Sequence, residues 1–141
     1  MSEFDLQRFV DAQDRVYDQI RAELAAGTKT SHWMWFVFPQ LQGLGRSAMA
    51  VKYEIVSRQE AQAYWQHAIL GARLKECVEL VLAVKGKTAF QIFGTPDDLK
   101  FRSSMTLFAH AVPDEPVFRR ALVKHFEGRD DPRTMELLAR S

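Results

Sequence analysis

The chain has 141 residues, of which 47% are hydrophobic and 26% charged, and its formal net charge at pH 7 is +1. This length suits one hydrophobic core and is short for two, so we expect a single α-helical domain over residues 1–141. The mixed composition excludes a disordered chain, and the lack of a basic stripe speaks against a partner of duplex nucleic acid.

Apolar positions at helical spacing predict a helix from Phe4 to Ala26, which Gly27 ends. Ser31 is then expected to cap a short helix through the aromatic run to Phe38, where Pro39 disfavours further helix. A buried strand is the alternative for this run. The helix is favoured because the rest of the chain offers no strand to pair with it.

Further helices are predicted along the remaining chain from capping residues and glycine stops. A helix begins at Arg46 or Ser47 and runs through Ile55, and a capping box at residues 57–60 opens the next, which breaks near His67. The others are Ile69 to Val84, one started by Thr95-Pro96-Asp97-Asp98, Asp114 to Phe126, and a last one capped by Asp131-Pro132. Thr88 to Phe93 is expected to form a single short turn closed by Gly94. The fold class is therefore all-α, a compact single-domain bundle of about seven to eight mostly short helices, orthogonally packed.

The N-terminus carries Glu3 and Asp5 instead of a positive start and an apolar core, which predicts no secretory signal and a cytoplasmic protein. The longest apolar runs are too short to span a membrane, so no membrane association is expected. Cys77 is the only cysteine, which excludes an intrachain disulfide and a cysteine-based zinc cluster. The other candidate ligands are scattered, so we expect no metal site and no cofactor.

A glycine-rich turn, Gly43-Leu44-Gly45-Arg46-Ser47, is the first candidate site. It lacks the third glycine of a dinucleotide-binding fold and the Gly-Lys-Ser/Thr ending of a P-loop. Its glycines would let the backbone approach an anion, Arg46 would supply a bidentate fork, and the helix start adds positive charge. The alternative is a tight interhelix turn in which Arg46 pairs with a carboxylate.

The aromatic run before the turn supplies further candidates. His32 and Trp33 lie nearest the predicted helix start and are expected to face a cleft, with His32 as a general acid or base and Trp33 stacked on a planar ligand. Trp35, Phe36 and Phe38 are expected in the core.

Lys100, Ser103 and Ser104 share one face of a predicted helix, where the lysine would hold an anion beside two hydroxyls. A serine–lysine nucleophile pair is disfavoured because the order reverses Ser-x-x-Lys. The alternative for such serines is a hydrogen bond to a carbonyl one turn back. The paired acids at 97–98 and 130–131 are expected to cap helices.

Four blocks of sequence together resemble a bacterial family. They are Ser31-His32-Trp33-Met34-Trp35-Phe36-Val37-Phe38-Pro39-Gln40, Gly43-Leu44-Gly45-Arg46-Ser47, Ile92-Phe93-Gly94-Thr95-Pro96-Asp97 and Ser103-Ser104-Met105-Thr106-Leu107-Phe108. Over nearly its whole length the chain is similar to the domain of unknown function 1810 family. Its members are small, mainly α-helical single-domain proteins, sometimes labelled calpastatin, although calpastatin segments are disordered and polar whereas this chain has a core.

The resemblance implies the fold and no reaction, because the family has no settled activity. It adds weight to the polar residues of the matching blocks, including Gln40 and Thr106. One departure is Tyr53-Glu54-Ile55, where Tyr or Phe followed by Gly and Ile is expected, and where Glu54 is the better helix former.

The leading functional hypothesis is a domain that binds a small anionic ligand, phosphate-bearing and nucleotide-like, between the glycine turn and the Lys100 helix. The predicted ligand-binding residues are Trp33, Gln40, Gly43, Gly45, Arg46, Ser47, Lys100, Ser103 and Thr106. One alternative is a hydrolase or transferase acting on such a ligand with His32 as acid or base. The other is a protein–protein interaction module without a small-molecule site.

Overall fold

The computed structural model describes residues 4–140, and within this range the chain forms ten helices. They are α1 Gln7–Asp14, α2 Tyr17–Ala25, α3 Met34–Val37, α4 Ala48–Lys52, α5 Arg58–Gln66, α6 Leu70–Ala83, α7 Ala89–Phe93, α8 Asp97–Ala111, α9 Val117–Phe126 and α10 Pro132–Arg140. In this range the only β-type pairing is an isolated bridge between Leu41 and Ile55. The all-α prediction is confirmed, and the centre of the aromatic run is helix, not strand.

The helix count exceeds the expected seven to eight because the predicted Phe4 to Ala26 helix is two helices, and because the turn predicted at Thr88 to Phe93 is the short helix α7, which Thr88 caps. Val16 has φ −137° and ψ 10°, outside the helical region, and separates α1 from α2. Apolar spacing continues across the break, so periodicity could not reveal it. The helix predicted to reach Ile55 instead ends at Lys52. It stops because the amide of Ile55 donates to the carbonyl of Gln40 at 2.8 Å, within the isolated bridge.

Several helix starts carry the predicted caps. The side chains of Ser47 and Ser57 each accept a hydrogen bond from an amide in the first turn of α4 and α5. The Asp131 carboxylate does the same at the start of α10. The predicted capping box is incomplete, because Glu60 accepts from the amide of Val56 and not from that of Ser57.

The hydrophobic core is built around α8, which contacts α5, α7, α9 and α10. Phe101, Met105 and Phe108 of α8 are fully buried. The aromatic run enters this core through Phe38, whose ring lies 5.0 Å from that of Phe101 in an edge-to-face arrangement. Phe36 is also buried, as predicted. Within the described range, no helix has the length and hydropathy needed to cross a bilayer.

A buried carboxylate fixes the loop that follows α2. Glu23 is 7% exposed and accepts hydrogen bonds from the amides of Thr30 and Ser31, from the Ser31 hydroxyl and from the Trp33 indole. Burial alone would raise the pKa of the Glu23 carboxyl, but these hydrogen bonds lower it to about 2. Ser31 therefore does not cap α3 as predicted, since its hydroxyl is used by Glu23 and the helix starts at Met34.

A second buried polar group joins α1 to α3 and α5. The Gln13 amide nitrogen donates to the carbonyl of Phe36 at 2.7 Å and lies 3.0 Å from the Tyr64 hydroxyl. Burial raises the pKa of Tyr64 well above its usual range, so the hydroxyl stays protonated. The backbone of the aromatic run is thus held from two sides, by Glu23 at its start and by Gln13 at its centre.

Replacing Glu23 with Ala is expected to lower the free energy of unfolding by about 3 kcal/mol, because buried donors lose their acceptor and each unsatisfied group costs about 1–3 kcal/mol. Urea denaturation at neutral pH measures the change. Glu79, exposed on α6, is the matched control, and its replacement with Ala should alter the free energy by about 0.5 kcal/mol or less. Equal stability of the two variants would contradict the assigned role of Glu23.

The same carboxylate should make stability depend on acid. Its pKa of about 2 in the folded protein lies below the ordinary value of 4.5, so its contribution is complete above the ordinary value and is lost as the pH falls toward the folded value. The difference corresponds to about 3 kcal/mol. Urea midpoints of the wild type and Glu23→Gln should therefore converge on acidification, and a gap that stays constant from about pH 6 to about pH 3 would refute this assignment.

Candidate functional site

The predicted glycine turn is present and connects the Leu41 bridge to α4. Gly43 has φ +101°, a conformation that favours glycine. Glu54, the departure from the expected pattern, has a place in this turn, because its carboxylate accepts a hydrogen bond from the Gln42 side chain at 3.1 Å. The turn therefore depends on the positive φ of Gly43 and on the hydrogen bond that joins Gln42 to Glu54, in the segment after α4.

Both glycines of the turn face protein atoms. A Cβ on Gly45 would lie 2.4 Å from the Cβ of Ala50, and a Cβ on Gly43 would lie 3.5 Å from a methyl group of Leu137. Gly45 thus allows the chain to close against α4. These contacts favour the interhelix-turn alternative over a backbone surface that is open to a ligand.

Arg46 is exposed and makes no hydrogen bond or ion pair with any residue in 4–140. The carboxylate partner of the interhelix-turn alternative is thus absent from the described part of the chain. Ser47 lies beside it, and its side-chain oxygen accepts from the amide of Ala50 at 3.1 Å. Because α4 spans only Ala48–Lys52 and one of its first amides is already satisfied, its N-terminus is a weak anion site.

The space between the glycine turn and Lys100 is filled by Trp35. A cavity of about 10 Å³ lies here, lined in part by Trp35, Gln40, Gly45 and Glu54, and this volume holds one water molecule at most. The indole nitrogen of Trp35 is buried without a partner among the described residues. Lys100 lies on the Trp35 ring, with its Nζ 5.5 Å from the ring centroid. The described residues therefore leave no open cleft at the place where the ligand site was predicted.

His32 and Trp33 do not form the predicted cleft wall. Trp33 is 1% exposed, and its indole nitrogen donates to Glu23 at 2.9 Å, so the prediction that it stacks on a ligand is wrong. His32 is exposed and makes no hydrogen bond within residues 4–140. The described residues therefore form no site around His32 in which it would act as an acid or base.

The hydroxyls predicted to hold an anion instead attach α10 to α8. Ser103 Oγ lies 3.1 Å from the Asp131 carboxylate, and Thr106 Oγ1 accepts from the amide of Asp131 at 2.9 Å. Each hydroxyl also lies within hydrogen-bond distance of a backbone carbonyl one turn back in α8. Ser103 and Thr106 are buried, so the structure uses them for packing of the last helix.

A groove of about 590 Å³ lies between α1 and α4 and contains none of the predicted site residues. Its apolar lining includes Val16 between α1 and α2, Met49 of α4, and the rings of Phe36 and Tyr53, whose centroids are 5.4 Å apart. The volume falls within the range of about 300–1,000 Å³ that is typical of small-molecule sites. The sequence did not indicate this groove, because Phe36 is expected in the core and the groove brings together segments that are distant in the chain.

One wall of this groove is held by Arg8. Its guanidinium donates to the carbonyls of Lys52 and Glu54, both at 2.9 Å, and pairs with the Glu60 carboxylate at 3.2 Å. Its hydrogen bonds thus connect α1 with the segment that follows α4. Arg8 is therefore committed to holding the groove together.

Two other cations of the groove are free. Neither Arg15 nor Lys52 forms an ion pair within residues 4–140, although the Lys52 Nζ lies 5.3 Å from the centroid of the Tyr53 ring. The groove also contains the carboxylates of Asp5 and Asp11. A ligand in this groove meets an apolar floor and two unpaired cations.

The fold also assembles a polar cluster that the sequence did not indicate. Asp130 lies 3.0 Å from the His110 ring nitrogen and 2.8 Å from the Arg119 guanidinium. Burial alone would raise the pKa of the Asp130 carboxyl, but hydrogen bonds from His110 and Arg119 lower it. The sequence gives no sign of this cluster because α8, α9 and the loop before α10 meet only in the folded chain. Across residues 4–140, no three His, Cys, Asp or Glu side chains come together as metal ligands do.

These observations define an all-helical domain with an open groove beside its most aromatic segment. Residues 3–138 match the family described as protein of unknown function (DUF1810), and the chain belongs to that family. The resemblance drawn from the motif blocks is thus confirmed.

A solved structure similar to this chain is the conserved hypothetical protein Rv1873 from Mycobacterium tuberculosis. The two share 56% sequence identity and superpose with a TM-score of 0.96, over 98% of this chain and 99% of that chain. Comparison with curated proteins gives no match. Neither the family description nor the name of the structural neighbour gives a reaction or a ligand.

Gly45→Ala is expected to destabilise the protein by about 1–3 kcal/mol, the cost of overpacking, because the new Cβ collides with Ala50. Thermal unfolding followed by circular dichroism measures the loss. The double variant Gly45→Ala/Ala50→Gly removes the collision and should regain part of the melting temperature, less the cost of glycine in a helix. A double variant less stable than either single variant would contradict this steric explanation.

Proposed function

We propose that this protein binds a small anionic ligand, phosphate-bearing and nucleotide-like, in the groove between α1 and α4. The apolar part of the ligand lies on the floor formed by Phe36, Tyr53 and Met49. Its anionic group meets the side chains of Arg15 and Lys52. The observation that carries the proposal is that both cations line this groove and neither has an ion-pair partner within residues 4–140.

The charges of the groove support an anionic ligand attached to an apolar body. A bound anion would pair with Arg15 and Lys52 without first breaking an ion pair inside the protein, whereas Arg8 is already committed to Glu60. Arginine also presents the planar fork that matches phosphate and carboxylate oxygens. The acids Asp5 and Asp11 on the same lining disfavour a purely inorganic anion, which would gain no apolar contact to offset their repulsion.

The floor supports a ligand with a flat or apolar portion. Met49 is 37% exposed and lines the groove together with Phe36 and Tyr53, so an entering group displaces water from apolar surface. A methionine side chain also adapts its shape to an irregular ligand. Binding therefore draws on burial of apolar area as well as on charge.

The hydrolase or transferase alternative receives less support from the same geometry. It requires His32 at the ligand, and His32 is not part of the groove lining. The lining provides groups that bind and orient an anion, which favours a binding role over turnover.

Isothermal titration with adenosine monophosphate, ADP-ribose and inorganic phosphate tests the proposal. We expect at least one organic phosphate to bind more tightly than inorganic phosphate. Arg15→Ala and Lys52→Ala should each weaken it about tenfold, as loss of a charged hydrogen bond does. The same ligand should raise the melting temperature of the wild type, because it binds only the folded chain.

Arg46→Ala and Lys100→Ala are the matched controls, since both remove a cation from the originally predicted site and neither lies in the groove. They should leave the affinity unchanged. Loss of binding in these controls but not in the Arg15 and Lys52 variants would place the ligand elsewhere. Absence of heat and of thermal shift with every probe at millimolar concentration would refute the proposed function.

A further inference from the structure

A second groove lies between the end of α6 and the outer face of α9. It has a volume of about 400 Å³, and its apolar lining consists of Leu82, Pro116 and Val123. Val123 is 61% exposed, the highest value among the large hydrophobic residues of the described chain. A single exposed hydrophobic residue is ordinary on a protein surface, but here exposed Val123 and Pro116 share one concavity with half-buried Leu82.

The rim of this groove carries one sign of charge. All its charged lining residues are cations, namely Arg119, Arg120 and Lys124, and the described lining contains no carboxylate. This differs from the α1–α4 groove, where acids and bases alternate. A field of one sign over an apolar floor selects partners of opposite charge.

Two of these cations are held in place by the chain, and the third is free. Arg119 pairs with Asp130 at 2.8 Å, and Lys124 donates to the carbonyls of Leu82 and Val84 at the end of α6. Arg120 is exposed and has no ion pair within residues 4–140. The fixed cations thus shape the rim, and Arg120 is the one available to meet a partner carboxylate.

We propose that the α6–α9 groove docks an acidic protein segment. One apolar side chain of the segment inserts against Leu82 and Val123, and carboxylates on either side of it meet Arg120 and the rest of the rim. A second copy of this chain is a poor occupant, because a two-fold interface would place the same cationic rim opposite itself. This docking surface is separate from the α1–α4 groove and does not depend on the function proposed there.

Titration of the ¹⁵N-labelled full chain with a synthetic acidic peptide tests the docking surface. The probe carries one leucine flanked by two glutamates on each side, and the comparison peptide carries lysines in place of the glutamates. We expect amide shifts at residues 82–84 and 117–124 with a dissociation constant of about 1 mM or tighter. The shifts should weaken with added salt, as electrostatic association does.

Arg120→Glu should reduce the affinity by about tenfold or more, and Val123→Ser should reduce it through loss of apolar contact. Both positions are exposed, so neither substitution disturbs the core. Arg46→Glu is the matched control, since Arg46 is exposed and lies in neither groove, and it should bind the acidic peptide as the wild type does.

Three results would overturn the docking proposal. They are the absence of shifts at the groove, equal binding of the lysine peptide, and unchanged binding by Arg120→Glu. Shifts at the same residues that grow with protein concentration in the absence of peptide would assign the groove to a second copy, which also overturns it. Binding of an organic phosphate in the α1–α4 groove is detected by a different set of amide shifts, at residues 8–16 and 49–53. Either proposal can therefore fail without the other.

Discussion

The ionised Glu23 carboxylate is the interaction on which much of the structure depends. Two loop amides, a hydroxyl and the Trp33 indole converge on it, so it determines where the aromatic run starts. Trp33 then lies against Phe38, with ring centroids 6.1 Å apart, and Phe38 reaches the α8 core. A single polar group at the end of α2 therefore orients a hydrophobic segment, because charged hydrogen bonds are directional whereas apolar contacts are not.

The helices were largely predictable from sequence because their signals are local. Apolar spacing located α6, and caps such as Ser57 and Asp131 located helix starts, since each depends on residues within one turn. The division between α1 and α2 was not predictable, because Val16 interrupts the helix without interrupting the apolar pattern. The early end of α4 depends on Gln40 pairing with Ile55, a contact between segments that local propensity does not describe.

The predicted functional residues illustrate the limit of such reasoning. Glycine, serine and arginine in one segment indicate an anion site or a tight turn equally well. The turn is favoured because Gly45 packs so closely on Ala50 that a Cβ at position 45 would collide with it. Ser103 and Thr106 have the chemistry to hold an anion, but they hold the start of α10. Conversely, the placement of Arg15 and Lys52 in one groove and the contact of His110 with Asp130 arise from tertiary packing and leave no mark in the local sequence.

The Glu23 loop can also be described as an anion-binding site that is already occupied by the protein's own chain. Donors on residues 30–33 surround a carboxylate in the way that they would surround a free ligand, and the carboxylate is tethered through α2. A tethered group has a high effective concentration at its site, which free anions at ordinary concentrations do not match. Ser31 and Trp33 thus do recognise an anion, and that anion is a side chain eight to ten residues before them.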